Sequence, residues 1–291
     1  MFILINLGYI FRNKEFSGPQ DYFKKHKGDI DVVFIGSSHQ FCSVSPMILR
    51  DEYDIDCFML STSAQTVPMS YYAAMEAIEL KHPKKIVFEV SYCANDFRVV
   101  TDEMSHCFFD GMPNCKARKK ALNDLIDPKD RLYYDFPISY YHERWKELSK
   151  KDYLNDSVDE LGGTFYEDVT YNPEIPVIPK AETSPMPEEM EKYMDLLVEL
   201  CKNNNVELIF YVAPFNTLYD DESLTEDLFE RQRIFNYVGL YAERNKVFFY
   251  NLFYDIAGLN IDNMTDWKDR QHFNHNGQRK VTEYLIEKGI L

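Results

Sequence analysis

The stretch DVVFIGSSHQF, residues 31–41, joins a continuous apolar run to an abrupt polar turn. Residues 31–35 have the composition of a strand that is buried on both faces, as strands of parallel sheets are. The turn GSSH, residues 36–39, follows without a break. A simple turn needs only a glycine and one polar residue. Two serines and a histidine therefore leave two interpretations open: an ordinary turn, or a strand end that presents a nucleophile.

The rest of the chain alternates between strand and helix patterns. Strands are predicted at residues 31–35, 57–60, 84–90, 206–214 and 246–252, and helices at 45–53, 70–80, 187–205, 224–245 and 276–289. This alternation predicts an α/β fold, a flavodoxin-like three-layer α/β/α sandwich with a mainly parallel five-stranded sheet. Ligands of such sheets bind at the carboxyl ends of the strands, where Ser38 would lie.

Residues 97–185 interrupt the alternation. We interpret them as an insertion after the third strand, packed on a single domain that spans residues 1–291. The aromatic segment YYDFPISYYHERWKEL, residues 133–148, is its one clear helical piece. Its aromatic side chains favour a place in the core. The alternative is a sugar-stacking platform that exposes His142 and Trp145.

The N-terminal segment, residues 1–28, begins with the apolar run MFILINLGYIF and then turns basic. This run is too short to span a bilayer and lacks the basic start and cleavage site of a secretory signal. Two interpretations stay open. It is either a first element packed on the body or the stub of a membrane anchor. The anchor would place the protein in the cell envelope, on the extracytoplasmic side of a membrane, and the alternative would make it cytoplasmic.

Charge and cysteine spacing argue against several classes of function. The formal net charge of −16 argues against a nucleic-acid partner, because phosphate backbones are repelled by an acidic surface. The six cysteines show neither zinc-ligand spacing nor a disulfide framework, although Cys107 and Cys115 could pair. The GSSH turn lacks the lysine of a phosphate-binding loop. We therefore predict no cofactor and no metal.

A second polar segment, DWKDRQHFNHNGQRK at residues 266–280, lies between a predicted strand and the last helix. The spacing of Asp269 and His272 lets the carboxylate accept the imidazole Nδ1–H and leaves Nε2 as a base. A serine hydroxyl needs such a base, since it is neutral at pH 7. Asp266 is an alternative orienting carboxylate, and His275 is interpreted as solvent-facing or as a helix cap.

FIGSSH and DRQHFNHNG together resemble the two end blocks of the SGNH/GDSL hydrolase superfamily, in the right order and each after a strand. The resemblance implies that Ser38 is the nucleophile, His272 the general base and Asp269 its orienting carboxylate. Ser37 takes the place of the usual aspartate and is expected to hydrogen-bond the turn. The resemblance covers residues 31–96 and 206–288 and leaves the insertion out.

The resemblance also implies an oxyanion hole. The backbone N–H of Ser38 is one donor. The segment LSTSAQT, residues 60–66, supplies the second, with Ala64 as the best match to the family's glycine and Ser63 next. Alanine serves here if its φ is negative. Asn95, in the segment CAND, matches the family's asparagine and is the third candidate donor.

The remaining site candidates rest on position near these turns. The candidates for substrate binding are His39, Ser63, Gln65 and Trp145. Glu89, inside the third predicted strand, is expected near a sheet edge or beside a lysine, with a buried acid in the site as the alternative.

The G-S-S turn, the insertion and the apolar N-terminus resemble the cell-envelope branch of the superfamily, with its D-alanyl-transfer and alginate-acetylation proteins. The resemblance implies a serine-dependent acyl-ester hydrolase or O-acyltransferase that acts on a cell-surface glycan. Its partners would be an acylated carbohydrate or small ester and a membrane-associated acyl donor. The alternatives are a soluble esterase of small esters, or an inactive glycan-binding scaffold on the same fold.

Overall fold

The computed structural model describes residues 8, 10–12, 23–28, 30–148, 161–216 and 222–291, without the side chains of 222–224. Its centre is one sheet of five strands: β1 Val32–Gly36, β2 Cys57–Ser61, β3 Lys85–Glu89, β4 Glu207–Val212 and β5 Phe248–Asn251. The strand order is β2-β1-β3-β4-β5, and every neighbouring pair is parallel. The predicted α/β fold with a five-stranded parallel sheet is confirmed.

Helices flank the sheet. They are α1 Ser38–Phe41, α2 Pro46–Tyr53, α3 Val67–Lys81, α4 Asp102–Phe109, α5 Lys116–Leu125, α6 Arg131–Asp135, α7 Ile138–Tyr141, α8 Glu188–Asn203, α9 Glu222–Asn245, α10 Ile256–Leu259 and α11 His275–Glu287. Shorter 3₁₀ turns cover Ser91–Ala94, His142–Lys146 and Leu252–Asp255. Helices α3 and α8 pack on each other and on the sheet, while α9 packs on β5.

The central strands are buried because their residues are apolar on both faces. All five residues of β1 are buried, and Val33, Phe34 and Ile35 have no exposed surface. The edge strand β5 is different, since Phe248 is 61% exposed. Burial that decreases toward an edge strand is typical of a parallel sheet covered by helices, and β3 is the middle strand of the five.

Helix α3 begins three residues before the predicted helix at 70–80. Thr66 is its N-cap, and the Thr66 hydroxyl accepts a hydrogen bond from the Met69 N–H at 3.4 Å. Pro68 lies in the first turn, where its missing N–H costs nothing. The helix ends at Lys81, followed by His82 in a left-handed conformation. These capping residues, and not the apolar pattern, set the length of the helix.

The aromatic segment 133–148 is not one helix, so that prediction is wrong. Helix α6 ends before Pro137, and the chain continues as α7 and a 3₁₀ turn. Proline disfavours helical geometry in the residue before it, and Phe136 has a non-helical ψ of 76°. Residues 97–185 also contain two further helices, α4 and α5, that the pattern did not predict, and α5 packs on α3. That residues 97–185 are an insertion on a single domain stays a prediction.

The aromatic side chains of this segment divide between the interior and the surface. Tyr134 is buried, and its ring stacks on His106 with centroids 4.3 Å apart. Tyr140 covers the other side of His106 at 3.9 Å. By contrast, Trp145 is 63% exposed. The preference for core packing is therefore wrong for part of the run, and the sugar-stacking role of Trp145 stays a prediction.

None of the six cysteines forms a disulfide, and all six are buried. The suggested pair of Cys107 and Cys115 is therefore wrong. Both thiols lie instead in the packed interior of the segment that carries α4 and α5, where free cysteine acts as a small apolar residue.

The predicted N-terminal extension, residues 1–28, lies mostly outside the described residues. In the part of the chain that the structure covers, no helix has the length and apolar character needed to cross a bilayer.

Candidate active site

The turn after β1 is built around Gly36, which has a φ of +146° that side chains rarely adopt. A Cβ at this position would lie 3.0 Å from the Cβ of Gln40 and 3.1 Å from the carbonyl oxygen of Glu89. Only glycine fits. Ser37 then caps α1, because its Oγ accepts a hydrogen bond from the His39 N–H at 3.3 Å. The predicted structural role of Ser37 is confirmed.

Ser38 is the first residue of α1, at the carboxyl end of β1. Its backbone N–H therefore has no partner within the helix. The residue is partly exposed, whereas its neighbours on both sides are buried. The turn thus directs one hydroxyl and one backbone donor toward the rim of the sheet.

The segment that carries His272 is a small closed loop. Trp267 and Phe273 form an isolated antiparallel bridge, and their rings pack with centroids 4.3 Å apart. The Lys268 N–H donates to the carbonyl oxygen of His272 at 2.9 Å. The loop is therefore closed at its base, which holds the histidine backbone in place.

This loop is tied to the end of β4 and to the insertion through one carbonyl group. The oxygen of Arg270 accepts the backbone N–H of Asn216 at 2.9 Å and the side-chain Nδ2 of Asn172 at 3.0 Å. Both asparagines are fully buried. These bonds bring a segment near the C-terminus to the carboxyl edge of the sheet.

Helix α11 is tied to the turn after β1. The Gln278 amide donates to the carbonyl oxygen of Phe41 at 3.0 Å, and the Ser45 N–H donates to the Thr282 hydroxyl at 3.0 Å. Gln278 and Thr282 are buried on α11. The two polar turns, far apart in sequence, are therefore held against each other by buried hydrogen bonds.

The structure brings Ser38, His272 and Asp269 into one hydrogen-bonded chain. His272 Nε2 lies 2.8 Å from Ser38 Oγ, and His272 Nδ1 lies 3.0 Å from each carboxylate oxygen of Asp269. Asp269 Oδ1 also accepts the backbone N–H groups of Gln271 at 2.8 Å and His272 at 2.9 Å. Nδ1–H bonded to the carboxylate leaves the Nε2 lone pair facing the serine hydroxyl, as a base requires.

The Asp269 carboxylate is stabilised in its charged form. Partial burial opposes ionisation, but the hydrogen bonds from the His272 side chain and from two backbone N–H groups outweigh it. Together they lower the pKa of Asp269 to about 2. Asp269 is therefore ionised at neutral pH and well below it.

The alternative orienting residue, Asp266, has other partners. Its carboxylate accepts hydrogen bonds from Lys280 Nζ at 2.6 Å and from the Asp262 N–H at 2.7 Å, and the side chain is buried. Asp266 therefore links its loop to α11.

His275 is the first residue of α11, and its Nδ1 lies 3.1 Å from the carbonyl oxygen of Tyr166.

Ala64 departs from the condition set by the sequence argument. Its φ is +53°, in the left-handed region that favours glycine. The expectation of a negative φ is wrong. This conformation is one that glycine adopts more readily than alanine, and the role of Ala64 as an oxyanion donor stays a prediction.

Asn95 follows the 3₁₀ turn at the end of β3, at the same rim as the other site residues. Its Oδ1 accepts a hydrogen bond from Arg231 Nη1 at 2.9 Å. This fixes the orientation of the amide and leaves Nδ2 as its donor group. Its role as an oxyanion donor stays a prediction.

His39 is buried beside the hydrogen-bonded chain, with its ring 5.2 Å from that of His272 and 4.4 Å from that of Phe215. Burial, with His272 and Arg231 nearby, lowers the pKa of His39 well below its ordinary value. His39 is therefore neutral, so it adds no positive charge beside His272.

Of the other predicted substrate-binding residues, Gln65 fits poorly. It is buried, and its amide bonds the hydroxyls of Thr62 and Ser70 at 3.1 Å each and the Leu60 carbonyl at 3.2 Å. These contacts make Gln65 a support for the loop after β2, and its predicted substrate contact stays a prediction. Ser63 is partly exposed on the same loop.

Trp145 is an exposed residue of the 3₁₀ turn His142–Lys146. The ring contact that the structure gives it is with Lys146, whose Nζ is 5.9 Å from the ring centroid. The structure thus does not bring Trp145 together with the hydrogen-bonded chain, and its predicted substrate contact stays a prediction.

Several residues at the site were missed by the sequence analysis, namely Ser91, Phe215 and Arg231. Ser91 and Phe215 lie within three residues of the ends of β3 and β4, so the rule that sites form at strand ends could have found them. Arg231 comes from the middle of α9 and carried no sequence signal.

Glu89 was wrongly expected at an edge or beside a lysine. It is 1% exposed on the central strand, and its partner is Ser91.

Similarity to known proteins is found at the level of the fold. No protein-family model matches the chain, and no curated protein matches its sequence. Among solved structures, it is similar to one assigned as an acylhydrolase from Bacteroides fragilis, at 15% identity and a TM-score of 0.48, over 94% of this chain and 93% of that one. It is also similar to a GDSL-like lipase from Bacteroides thetaiotaomicron, at 12% identity and a TM-score of 0.46, over 94% and 98% of the two chains. A third is a psychrotrophic esterase from Pseudoalteromonas, at 12% identity and a TM-score of 0.42, over 90% and 99%.

Proposed function

We propose that this protein is a serine-dependent ester hydrolase or acyltransferase with Ser38 as its nucleophile. The observation that carries the proposal is the 2.8 Å separation of Ser38 Oγ and His272 Nε2, in a histidine whose Nδ1 is held by Asp269. A nucleophile, a base and an orienting carboxylate in hydrogen-bond reach of one another are the arrangement that activates a serine hydroxyl.

In the proposed mechanism, Ser38 Oγ attacks the carbonyl carbon of an ester while His272 Nε2 takes the hydroxyl proton. The resulting tetrahedral oxyanion collapses, the bond to the leaving alcohol breaks, and His272 returns its proton to that alcohol. The product is an acyl group on Ser38. Water or an acceptor alcohol then attacks this acyl-enzyme, with His272 again as the base, and Ser38 is regenerated.

We assign the oxyanion hole to backbone N–H groups of Ser38 and Ala64, with Asn95 as a third donor. Support comes from the position of Ser38 at the start of α1, from the place of Ala64 on the loop after β2, and from the Arg231 hydrogen bond that orients the Asn95 amide. Each such donor typically contributes about 3 kcal/mol of transition-state stabilisation.

Hydrolysis and transfer use the same residues and differ in which nucleophile reaches the acyl-enzyme. The resemblance to the cell-envelope branch favours an O-acylated cell-surface glycan as substrate and a membrane-associated acyl donor as partner. A free-standing esterase of small esters is the second candidate, favoured by the partial exposure of Ser38, which leaves the hydroxyl open to water.

A fluorophosphonate probe, which reacts with activated serines, tests the proposal. Wild type and Ser139→Ala, a control at a serine of α7, should label at equal rates, and Ser38→Ala should not label. Failure of wild type to label would leave the inactive scaffold as the better account. Turnover of p-nitrophenyl acetate without an added acceptor indicates hydrolysis, and turnover that requires an added alcohol indicates transfer.

A further inference from the structure

A carboxyl group is buried directly beneath the proposed nucleophile turn. Glu89 ends the central strand β3, and its Cβ lies 3.2 Å from where a Cβ of Gly36 would stand. On the other side, Tyr211 of β4 is its register partner. The proposed mechanism gives Glu89 no step. Burial of a carboxyl group costs free energy unless hydrogen bonds or a charged partner compensate for the lost water, so the position of Glu89 calls for an explanation.

Glu89 is connected to the nucleophile turn through two serines. The Ser91 hydroxyl donates to Glu89 Oε2 at 2.7 Å, and the Ser91 N–H lies 3.3 Å from the same oxygen. Ser37 Oγ is 3.5 Å from Ser91 Oγ. Since the Ser91 proton is directed to the carboxyl group, Ser37 is the donor in this contact. Ser37 Oγ in turn accepts the His39 N–H, so the chain runs from the backbone beside Ser38 down to Glu89.

The surroundings of Glu89 favour a neutral carboxyl group. Burial raises its pKa to about 8, although hydrogen bonds from Ser91 and from the Ala213 N–H oppose this shift. Its other oxygen, Oε1, is buried, and within the described ranges no donor reaches it with the distance and angle of an ordinary hydrogen bond. An ionised carboxylate would therefore carry charge on an oxygen that nothing solvates.

No facing group supplies a compensating positive charge in the part of the chain that the structure covers. The titratable groups around Glu89 are Tyr211 on β4 and Tyr92 and Cys93 on the turn after β3, and burial raises the pKa of all three. They are neutral near pH 8. Of the groups on the packed helices, His39 of α1 is neutral. The positive charge of Arg231 on α9 acts to lower the pKa of Tyr92 and of His39.

We propose that Glu89 is a positioning residue whose neutral carboxyl group, through Ser91 and Ser37, holds the Ser38 turn in its reactive geometry. This inference rests on the proposed function of Ser38. When Glu89 loses its proton, water must reach the carboxylate, and the opening that admits it breaks the Ser91–Ser37 contact. The serine hydroxyl then loses its alignment with His272.

The test is the pH profile of p-nitrophenyl acetate turnover and of fluorophosphonate labelling, between about pH 6 and pH 9.5. In wild type we expect kcat to fall by about tenfold above an inflection near the pKa of Glu89, about 8, with KM unchanged. In Glu89→Gln, a neutral side chain of the same shape, that decline should disappear. Glu89→Leu should lower kcat by about 30-fold at pH 7, whereas Glu89→Gln should lose no more than about threefold.

Glu76→Gln is the matched control. Glu76 is also fully buried and its pKa is also raised to about 8, but it lies on α3 beside Glu79 and Arg118. This variant should keep the alkaline decline of wild type. Ser91→Ala is the second variant, used also if Glu89→Gln does not fold. It removes the link while keeping the acid, and we expect it to lower kcat by about tenfold with KM unchanged.

The outcomes separate the inference from the proposed function. Labelling of wild type with an unchanged alkaline decline in Glu89→Gln, or full activity of Ser91→Ala, overturns the role of Glu89 and leaves the function standing. Absence of labelling in wild type at every pH overturns both. A decline that vanishes in Glu89→Gln and persists in Glu76→Gln supports the inference, because a purely structural role of Glu89 would not move the profile.

Discussion

Asp269 serves two geometric purposes with one carboxylate. It holds the imidazole of His272 through both oxygens, and one of those oxygens also accepts two backbone N–H groups of its own loop. These hydrogen bonds hold the Asp269 side chain in one orientation relative to its own loop. A neutral side chain of the same size would keep some of these bonds but not the charge.

We therefore expect Asp269→Asn to lower kcat by about 10²- to 10⁴-fold with KM little changed, since the amide favours the wrong imidazole tautomer and no longer stabilises a protonated His272. Steady-state kinetics with p-nitrophenyl acetate checks this. Asp168→Asn, at an exposed aspartate, is the control and should have wild-type rates. Wild-type kcat in Asp269→Asn would contradict the orienting role.

Ala64 is strained at the level of its own backbone. Because its φ is +53°, we expect Ala64→Gly to raise the free energy of unfolding by about 0.5–1 kcal/mol, as measured by urea denaturation. The same change in helix α3, Ala73→Gly, should lower it by about 1 kcal/mol, since glycine is a poor helix former. A lower free energy of unfolding in Ala64→Gly would contradict this prediction. It would show that the packing contacts of the Ala64 methyl group stabilise the fold by more than the backbone strain destabilises it.

At the scale of elements, the N-terminus of α11 connects the loop that carries His272 to the body of the protein. Asn274 is its N-cap, fully buried, and its Oδ1 accepts the N–H groups of Asn276 at 3.0 Å and Gly277 at 3.3 Å. Its Nδ2 donates to the carbonyl oxygens of Thr265 at 2.8 Å and Asp168 at 3.1 Å. One side chain therefore starts the helix and also closes the loop that contains His272.

We expect Asn274→Ala to lower the free energy of unfolding by about 2 kcal/mol or more, because a cap and two further buried hydrogen bonds are lost together. It should also lower kcat, since His272 is two residues away. Thr101→Ala, which removes the cap of α4, is the matched control and should cost about 1 kcal/mol with kcat unchanged. Equal effects of the two variants on kcat would contradict the link between cap and site.

At the scale of the whole molecule, two buried acids couple the fold to pH. Burial raises the pKa of both Glu76 and Glu89 to about 8, although Arg118 opposes the shift at Glu76 and Ser91 opposes it at Glu89. In the unfolded chain both titrate near the ordinary value for glutamate, about 4.3. Between these values the folded protein binds more protons than the unfolded chain, so stability falls as pH rises.

We expect the free energy of unfolding to decrease from about pH 5 to about pH 8, with each acid contributing a slope of up to about 1.4 kcal/mol per pH unit. Urea denaturation at three pH values measures the slope. The double variant Glu76→Gln and Glu89→Gln should be flatter over this interval than wild type. An equal slope in the double variant would mean that other groups carry the pH dependence.

Much of the fold and part of the site followed from local patterns. Apolar runs and helical spacing located the five strands and four of the long helices, because burial of a parallel sheet demands continuous apolar strands. Helix ends were less predictable. The start of α3 depends on the cap of Thr66, and the break at Pro137 outweighs the aromatic periodicity around it.

By itself, the sequence determined the fold class, the polar turns at Ser38 and at Asp269–His272, and the glycine that the first turn requires. Those features are local, since they depend on residue type and spacing. Only the tertiary structure decided that the two turns meet at 2.8 Å, that Glu89 lies beneath them, and that Arg231 reaches Asn95. These contacts join residues on separate elements, and the order of strands in the sheet and the buried hydrogen bonds between loops bring them together.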